Sequence, residues 1–193
     1  GATLTGASAS NYTLSSLTTA QANITRAAAT VIGYTGTYDG VAHAAATAVG
    51  VLGESLSGLN LTLLSGATTH TNAGTYSDSF NFTFTDVTGN YNNVVVPQAV
   101  TTTTTIAKAV ATVDVLGYTG IYDAAAHGAS GTVIGVDAGG AALGSGLTLG
   151  ASFTNAPGGT ANWLFTGGIN YTDQSGSVAI VIAKAVATVD VLG

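Results

Sequence analysis

The sequence predicts an all-β protein made of tandem small β-sandwich domains of the immunoglobulin-like type. The 193-residue chain contains 32 Thr and 27 Gly, and Thr favours strands whereas Gly favours turns. Its 46% hydrophobic content is too high for a disordered chain. The alternative is a β-grasp-like unit with a short helix, which would lie in the Ala-rich stretches near Ala44 and Ala124.

An internal repeat is the strongest feature of the chain. The segment 106–117 recurs without change as 182–193, an offset of 76 residues. The segment 34–43 recurs in modified form as 118–127. A third element is a pair of neighbouring residues that occurs late in each unit, namely Asn11-Tyr12, Asn90-Tyr91 and Asn170-Tyr171.

These matches divide the chain into four parts. We expect residues 1–26 to be the C-terminal part of a preceding repeat and residues 27–108 to be the first complete β repeat. Residues 109–184 are expected to form the second complete repeat, and residues 185–193 the opening strand of the next. Because its ends are out of phase with its repeats, we expect a window on a longer array or a protomer completed by its neighbours.

A protomer completed by its neighbours would use its last strand for pairing with another subunit. Such strand donation takes affinity from backbone hydrogen bonds and register from alternate side chains. The strand-pairing candidates are Val186, Thr188, Val189, Val191 and Leu192.

Strict alternation of apolar and polar residues predicts individual strands within each unit. Phe80, Phe82 and Phe84 share one face of the segment 79–85, and Trp163 and Phe165 share one face of its counterpart. A third strand is predicted at 177–182, where the apolar face consists of Val178, Ile180 and Ile182. Glycines between these segments supply the turns.

The charge content restricts the function. Only 6% of the residues are charged and the net charge is −6, whereas a typical domain is about 25% charged. Three basic residues cannot neutralise a nucleic-acid backbone, and the longest apolar run, 178–183, is too short to cross a bilayer. The single Glu, three His and absence of Cys leave little material for catalysis. We therefore expect no enzyme and no cofactor.

A resemblance to a known family rests on four segments taken together. They are Tyr34–His43 with Tyr38-Asp39-Gly40 inside it, Asn72-Ala73-Gly74-Thr75-Tyr76, Gly89-Asn90-Tyr91 and Ile106-Ala107-Lys108-Ala109. In this combination the chain resembles the MBG and YDG repeats of large bacterial surface proteins, such as filamentous-haemagglutinin-like adhesins. The resemblance implies an extracellular structural or adhesive role without catalytic residues. The second unit departs from the pattern, with Ala124 where Gly40 stands and Ala161 where Tyr76 stands.

Several side chains permit two interpretations. An Asp and a His occur at the same spacing in both repeats, as Asp39 with His43 and as Asp123 with His127. Each pair could bind a divalent ion, or it could form a turn in which Asp caps its own backbone. We favour the turn and expect no metal site.

Lys108 and Lys184 occupy equivalent junction positions. They are either solvated lysines that discourage edge pairing or partners in an internal Lys–Asn isopeptide bond, and the sequence leaves this open.

Two hypotheses for function follow. In the first, the chain is a structural repeat segment of an extracellular bacterial filament or adhesin stalk, and its partners are neighbouring repeats or identical subunits. In the second, it is an adhesive module that recognises carbohydrate or a host surface protein through exposed aromatic residues. The candidates for such contacts are Tyr34, Tyr38, Tyr118 and Tyr122.

Overall fold

The computed structural model describes residues 3–13, 22–65, 69–137 and 139–191. The chain is all-β. The described residues before Lys108 form nine strands, which are β1 (Thr30–Ile32), β2 (Thr35–Thr37), β3 (His43–Ala44), β4 (Thr47–Val49), β5 (Ser55–Leu56), β6 (Leu59–Ser65), β7 (Thr69–His70), β8 (Gly74–Phe84) and β9 (Val94–Ala107).

After Lys108 the part of the chain that the structure describes has six strands, which are β10 (Thr112–Leu116), β11 (Tyr118–Ile121), β12 (Ser130–Ile134), β13 (Leu147–Thr148), β14 (Gly158–Phe165) and β15 (Gln174–Ala183). Helical structure among the described residues is limited to the 3-10 turns Ala9–Asn11 and Gly144–Gly146. The β-grasp alternative requires a short helix in the Ala-rich stretches near Ala44 and Ala124, and these stretches are not helical. Ala44 belongs to β3, and Ala124 lies in a bend with φ +67°.

The larger sheets of the two repeats have the same topology. The first has a four-stranded sheet in the order β2-β9-β8-β6, and the second has the matching order β11-β15-β14-β13. In each sheet the first pair is parallel and the other pairs are antiparallel. A smaller antiparallel sheet contains β1, β4 and β5 in the first repeat, and β10 and β12 in the second. None of these sheets combines strands from both sides of Lys108.

In each repeat one core cluster lies between the larger and the smaller sheet. In the first repeat, Phe80, Phe82 and Phe84 of β8 pack against Ala48 of β4 and against Tyr91. The alternation of exposed and buried residues along β8 confirms the strand and the buried face predicted from the phenylalanines. The bulky aromatic face of β8 thus fills the space opposite the small residue of β4.

The second repeat divides its buried residues between two clusters. Phe165 and Tyr171 pack with Val133 of β12, while Ile180 and Ile182 of β15 pack with Ala161. Ile180 and Ile182 are buried and Val178 packs against them, as the alternation of this segment predicts. The expectation that Ala161 replaces Tyr76 is wrong. Ala161 lies opposite Val178 as Asp78 lies opposite Thr102, which is 76 positions earlier, so the fully buried Ala161 corresponds to Asp78.

The opening residue of each repeat pairs with the Asn-Tyr element of the same repeat. Ala27 forms a parallel bridge to Tyr91, and Ala109 forms the same bridge to Tyr171. Since β9 ends at Ala107, only Lys108 separates the last strand of the first repeat from the first paired residue of the second.

Candidate functional site

Two of the four candidate tyrosines, Tyr34 and Tyr118, stack on histidines of their own repeat. Tyr34 lies on His43 with ring centroids 3.9 Å apart and an angle of 6° between the planes. Tyr118 lies on His127 with the same distance and angle. Both tyrosines are half-buried, so one face of each ring is covered by imidazole.

The aspartates of the repeated Asp–His pairs form turns. Asp39 Oδ1 accepts hydrogen bonds from the Val41 backbone N–H and from His43 Nε2, each at 2.9 Å. In the second repeat, Asp123 Oδ1 lies 2.9 Å from both the Ala125 N–H and His127 Nε2. The turn interpretation of these aspartates therefore agrees with the geometry.

These hydrogen bonds lower the pKa of both aspartates. For Asp39 the main cause is the Val41 N–H, followed by His43. For Asp123 the main cause is His127, followed by the Ala125 N–H. A carboxylate that already accepts two bonds from its own loop has less capacity to recruit a ligand.

A third stack of the same kind lies in the first repeat. His70 stacks on Tyr76 at 3.8 Å and contacts both carboxylate oxygens of the buried Asp78. His70 also lies directly opposite His43 in the β3–β7 pair, whereas His127 bridges to Phe153 in the second repeat. No three His, Asp or Glu side chains in the described ranges come together so as to hold a metal ion.

Tyr76 also fixes the turn that precedes its strand. Its hydroxyl donates a 2.9 Å hydrogen bond to the Asn72 backbone carbonyl. This contact makes 72–76 a tyrosine corner, in which a tyrosine pins a backbone group a few residues upstream.

The remaining candidate in the first repeat, Tyr38, lies at the joint between the two repeats. Its ring meets Tyr171 edge to face, with centroids 5.4 Å apart and an angle of 79°. The neighbouring carboxylate of Asp137 and burial together raise the pKa of Tyr38 to about 12, with the Asp137 interaction as the main cause. Asp137 Oδ2 accepts the Tyr171 hydroxyl at 2.9 Å, so one carboxylate of the second repeat contacts a tyrosine from each side of the joint.

Asparagines form the second contact across this joint. Asn170 Oδ1 accepts the Ala73 backbone N–H at 2.9 Å, and Asn170 Nδ2 donates to Asn72 Oδ1 at 3.1 Å. The tyrosine corner of the first repeat therefore presents the groups that bind the Asn-Tyr element of the second. We call the contacts of Tyr38, Asn72 and Ala73 with Asp137, Asn170 and Tyr171 the joint.

The tyrosine of each Asn-Tyr element holds a loop of its own repeat. Tyr171 accepts the Val136 N–H at 3.0 Å, and Tyr91 accepts the Val51 N–H at 3.2 Å. The hydroxyl of Tyr91 also donates to Glu54. Tyr91 and Tyr171 are only 6% and 4% exposed, whereas Tyr12 is 71% exposed.

Basic residues lie next to these loops. Lys108 Nζ donates to the Gly168 carbonyl at 2.6 Å, and Arg26 Nε donates to the Gly89 carbonyl at 3.0 Å. Lys108 thus attaches the start of the second repeat to that repeat's own Asn-Tyr loop. Lys108 therefore contacts a backbone carbonyl, as a junction lysine would, and not the asparagine side chain that an isopeptide bond would need.

The last candidate tyrosine and the strand-pairing candidates lie at the far end of the second repeat. Tyr122 is 41% exposed and borders a shallow depression with Ala156, Lys184 and Val186. Residues 184–191 form no strand and are exposed. This segment includes Val186, Thr188, Val189 and Val191, whereas Leu192 lies outside the described residues.

The sequence did not single out Asp137 or Glu54, because neither acid belongs to a repeated motif. A repeated Gly-Val pair could have pointed to these acids, because the loops that the tyrosines hold begin at Val51 and Val136.

Comparison with known proteins adds no family, because no protein-family model and no curated protein sequence matches the chain. Within the described ranges, no helix has the length and apolar character needed to cross a membrane.

Proposed function

We propose that this chain is a structural repeat segment of an extracellular bacterial filament or adhesin stalk. The observation that carries the proposal is the joint, where two similar β units meet with one intervening residue and bind through a tyrosine pair, a shared carboxylate and two asparagine hydrogen bonds. Repeats that contact only their neighbours form quasi-one-dimensional arrays. A joint with this many directional contacts restricts the relative orientation of neighbouring repeats and favours a stiff array.

The resemblance to MBG and YDG repeats supports the extracellular bacterial setting. The low charge agrees with it, because the uncharged residues Thr and Ser supply most of the polar side chains. Stacked tyrosine and histidine rings at equivalent places in both repeats are features of repeated architecture. The resemblance implies no catalytic residues, and we propose no enzymatic activity.

The test is electron microscopy of native surface material labelled with an antibody against this chain. The longest strand, β9, has 14 residues and spans roughly 46 Å at about 3.3 Å per residue. We expect labelled fibres with a regular axial period on the order of 40–50 Å per repeat, or twice that for a pair. Labelled material without fibres, or beads with irregular spacing, would contradict the structural role.

A second candidate is an adhesive binding module for carbohydrate or a host surface protein. Tyr122 favours it, because this partly exposed aromatic ring borders an apolar depression and tyrosine rings stack on sugars. The other candidate tyrosines give less support to a binding module, because the rings of Tyr34, Tyr38 and Tyr118 already contact His43, Tyr171 and His127 respectively. A glycan array would detect this activity, and binding lost in Tyr122→Ala but kept in Tyr12→Ala would favour the module over the stalk.

A further inference from the structure

Trp163, the single tryptophan of the chain, is half-buried at a place where its neighbours are enclosed. It lies on the same face of β14 as Ala161 and Phe165, which are both buried. These two residues belong to different core clusters of the second repeat, and Trp163 belongs to neither of them. The indole therefore lies where the core of this repeat is divided, and solvent reaches it.

The first repeat buries the equivalent ring completely. Phe80 lies opposite Val100 in the β8–β9 pair, and Trp163 lies opposite Gly176 in the β14–β15 pair. Phe80 is fully buried, and Val100 packs against its cluster. Since the same sheet order encloses an aromatic ring in one repeat, the fold does not require the partial exposure of Trp163 in the other.

Gly176 gives the indole a flat support. A Cβ at Gly176 would come within 2.6 Å of Trp163 Cζ2 and 2.9 Å of Nε1, so the ring lies against the bare backbone of the neighbouring strand. Within the described ranges, the aromatic pairs and stacks do not include Trp163. The second repeat thus holds a supported aromatic ring that keeps part of its surface in water.

The ring is accompanied by one donor and one acceptor. In the described part of the chain the Trp163 N–H has no acceptor and is not one of the fully buried unpartnered groups, so a ligand can reach it. Gln174 lies opposite Phe165, two residues before Gly176, and such diagonal neighbours on one face are about 7–8 Å apart. Its Nε2 donates to the Ala111 carbonyl at 2.8 Å, which fixes the amide and leaves Oε1 as an acceptor.

This combination suits a neutral sugar. A pyranose ring has C–H bonds on its face and hydroxyl groups at its rim, and tryptophan combines an apolar ring with a polar N–H. Sites for organic cations use a cage of several aromatic rings, which Trp163 lacks. An anionic sugar would find no counter-charge, because Lys108 and Arg26 contact carbonyls of the Asn-Tyr loops and Lys184 borders Tyr122.

From these observations we propose that Trp163 is the stacking platform of a carbohydrate site that takes the apolar face of a neutral pyranose. We call Trp163, Gln174 and Gly176 the platform. The sugar ring lies on the indole, the Trp163 N–H donates to one hydroxyl group, and Gln174 Oε1 accepts from another. The inference rests on the second candidate function, an adhesive binding module, and names its site and its ligand class.

The test uses the fluorescence of the single tryptophan, which reports on the platform directly. The whole chain is titrated with cellohexaose and, separately, with N-acetylchitohexaose, which are both neutral and β-linked. We expect a saturable change in tryptophan fluorescence with one or both probes. At saturation the bound sugar should also protect the indole from quenching by acrylamide.

Variants assign the binding to the platform, with affinity measured by calorimetry and folding checked by circular dichroism. Trp163→Ala should weaken binding about tenfold or more, because it removes the stacking surface and the donor. Gly176→Val restores the type of residue that the first repeat has at this position, and its side chain should displace the indole and weaken binding while the tryptophan stays. Leu164→Ala removes a 49% exposed apolar side chain from the opposite face of β14, and this control should bind as wild type does.

The inference is overturned if neither probe changes the fluorescence, or if Trp163→Ala and Gly176→Val both bind as wild type does. Binding that is lost in Tyr122→Ala and kept in Trp163→Ala would reject the platform and leave the adhesive module standing with another site. Regular labelled fibres on native material bear only on the structural role, so failure of that proposal is distinguished from failure of the platform.

Discussion

At the level of single residues, each repeat depends on a tyrosine that lies over a glycine two positions later in the chain. A Cβ at Gly36 would come within 2.1 Å of the Tyr34 hydroxyl, and one at Gly120 within 2.2 Å of the Tyr118 hydroxyl. Each ring is thus enclosed between its own backbone and a stacked histidine. The glycine is needed here for close approach.

We expect Gly120→Ala to destabilise the second repeat by about 1–3 kcal/mol, the usual cost of overpacking. The added methyl group must push the Tyr118 ring off His127. Urea unfolding measures the loss, and the ring-current shift of the His127 protons in NMR spectra reports the lost stack. Gly144→Ala is the control, because nothing lies within 4 Å of a Cβ at that position. Equal stability of both variants would contradict the close packing.

The second residue-scale prediction concerns Tyr38, whose pKa is raised to about 12 by Asp137 and by burial. A raised pKa means that the joint favours the neutral phenol, so this contribution is complete below pH 10 and is lost as the pH rises from 10 to 12. Absorbance near 295 nm should show Tyr38 among the late-titrating tyrosines, together with Tyr91 and Tyr171, whose pKa values are also raised, mainly by the hydrogen bond to Glu54 and by burial respectively.

Asp137→Asn should bring the Tyr38 transition back toward its ordinary value of about 10. Asp114→Asn, at an exposed position of β10, is the matched control and should leave the late transition in place. The assignment to Asp137 is wrong if both variants titrate alike.

At the level of elements, the long strands show how the sequence specifies the core. Phe80 and Phe84 of β8 are buried on one face, and residues of β9 such as Thr102 and Thr104 are buried while their neighbours in the Thr run are exposed or half-buried. Alternation in the sequence predicts the first feature. The second follows from strand geometry alone, because a strand turns successive side chains to opposite faces and the run 101–105 consists of Thr only.

Phe80→Ala is expected to destabilise the first repeat by about 3–5 kcal/mol, because it leaves a cavity at a fully buried position. Val95→Ala on β9 removes an apolar side chain that is 78% exposed and should change stability by less than about 0.5 kcal/mol. Urea unfolding of both variants measures the difference. A small effect of Phe80→Ala would show that this position is not in the core.

Sequence alone predicted the all-β class, the strands at 79–85 and 177–182 and their buried faces, since these follow from local alternation. It did not predict the parallel pairing of β2 with β9, which joins residues about 70 positions apart in the chain. The contact of Tyr38 with Asp137 was missed for the same reason. Such contacts depend on how whole sheets come together, and a single unrepeated acid gives no pattern to find.

At the level of the whole molecule, the joint determines whether the two repeats move as one body. The contacts that cross it involve few residues, and Asn170 makes both hydrogen bonds. Since these bonds end on the Ala73 N–H and the Asn72 side chain, the loss of this one side chain removes both of them and leaves the Tyr38–Tyr171 contact at the joint.

We expect Asn170→Ala to loosen the joint while each repeat keeps its fold. Small-angle X-ray scattering should then show a broader distribution of overall lengths, and circular dichroism should stay unchanged. Asn162→Ala, at an exposed position on β14, is the control. If Asn170→Ala scatters as wild type does, the tyrosine contact alone fixes the orientation.

The parallel pairs near the ends of each repeat determine how it carries tension. A pull along the chain acts on the first repeat at Ala27 and Lys108, and the pairs Ala27–Tyr91 and β2–β9 are parallel. Tension therefore slides paired segments past one another along their length, so that their hydrogen bonds are loaded together and cannot open one at a time. We expect single-molecule pulling from the two ends to need a higher force per repeat than pulling that peels β6 from β8, an antiparallel pair.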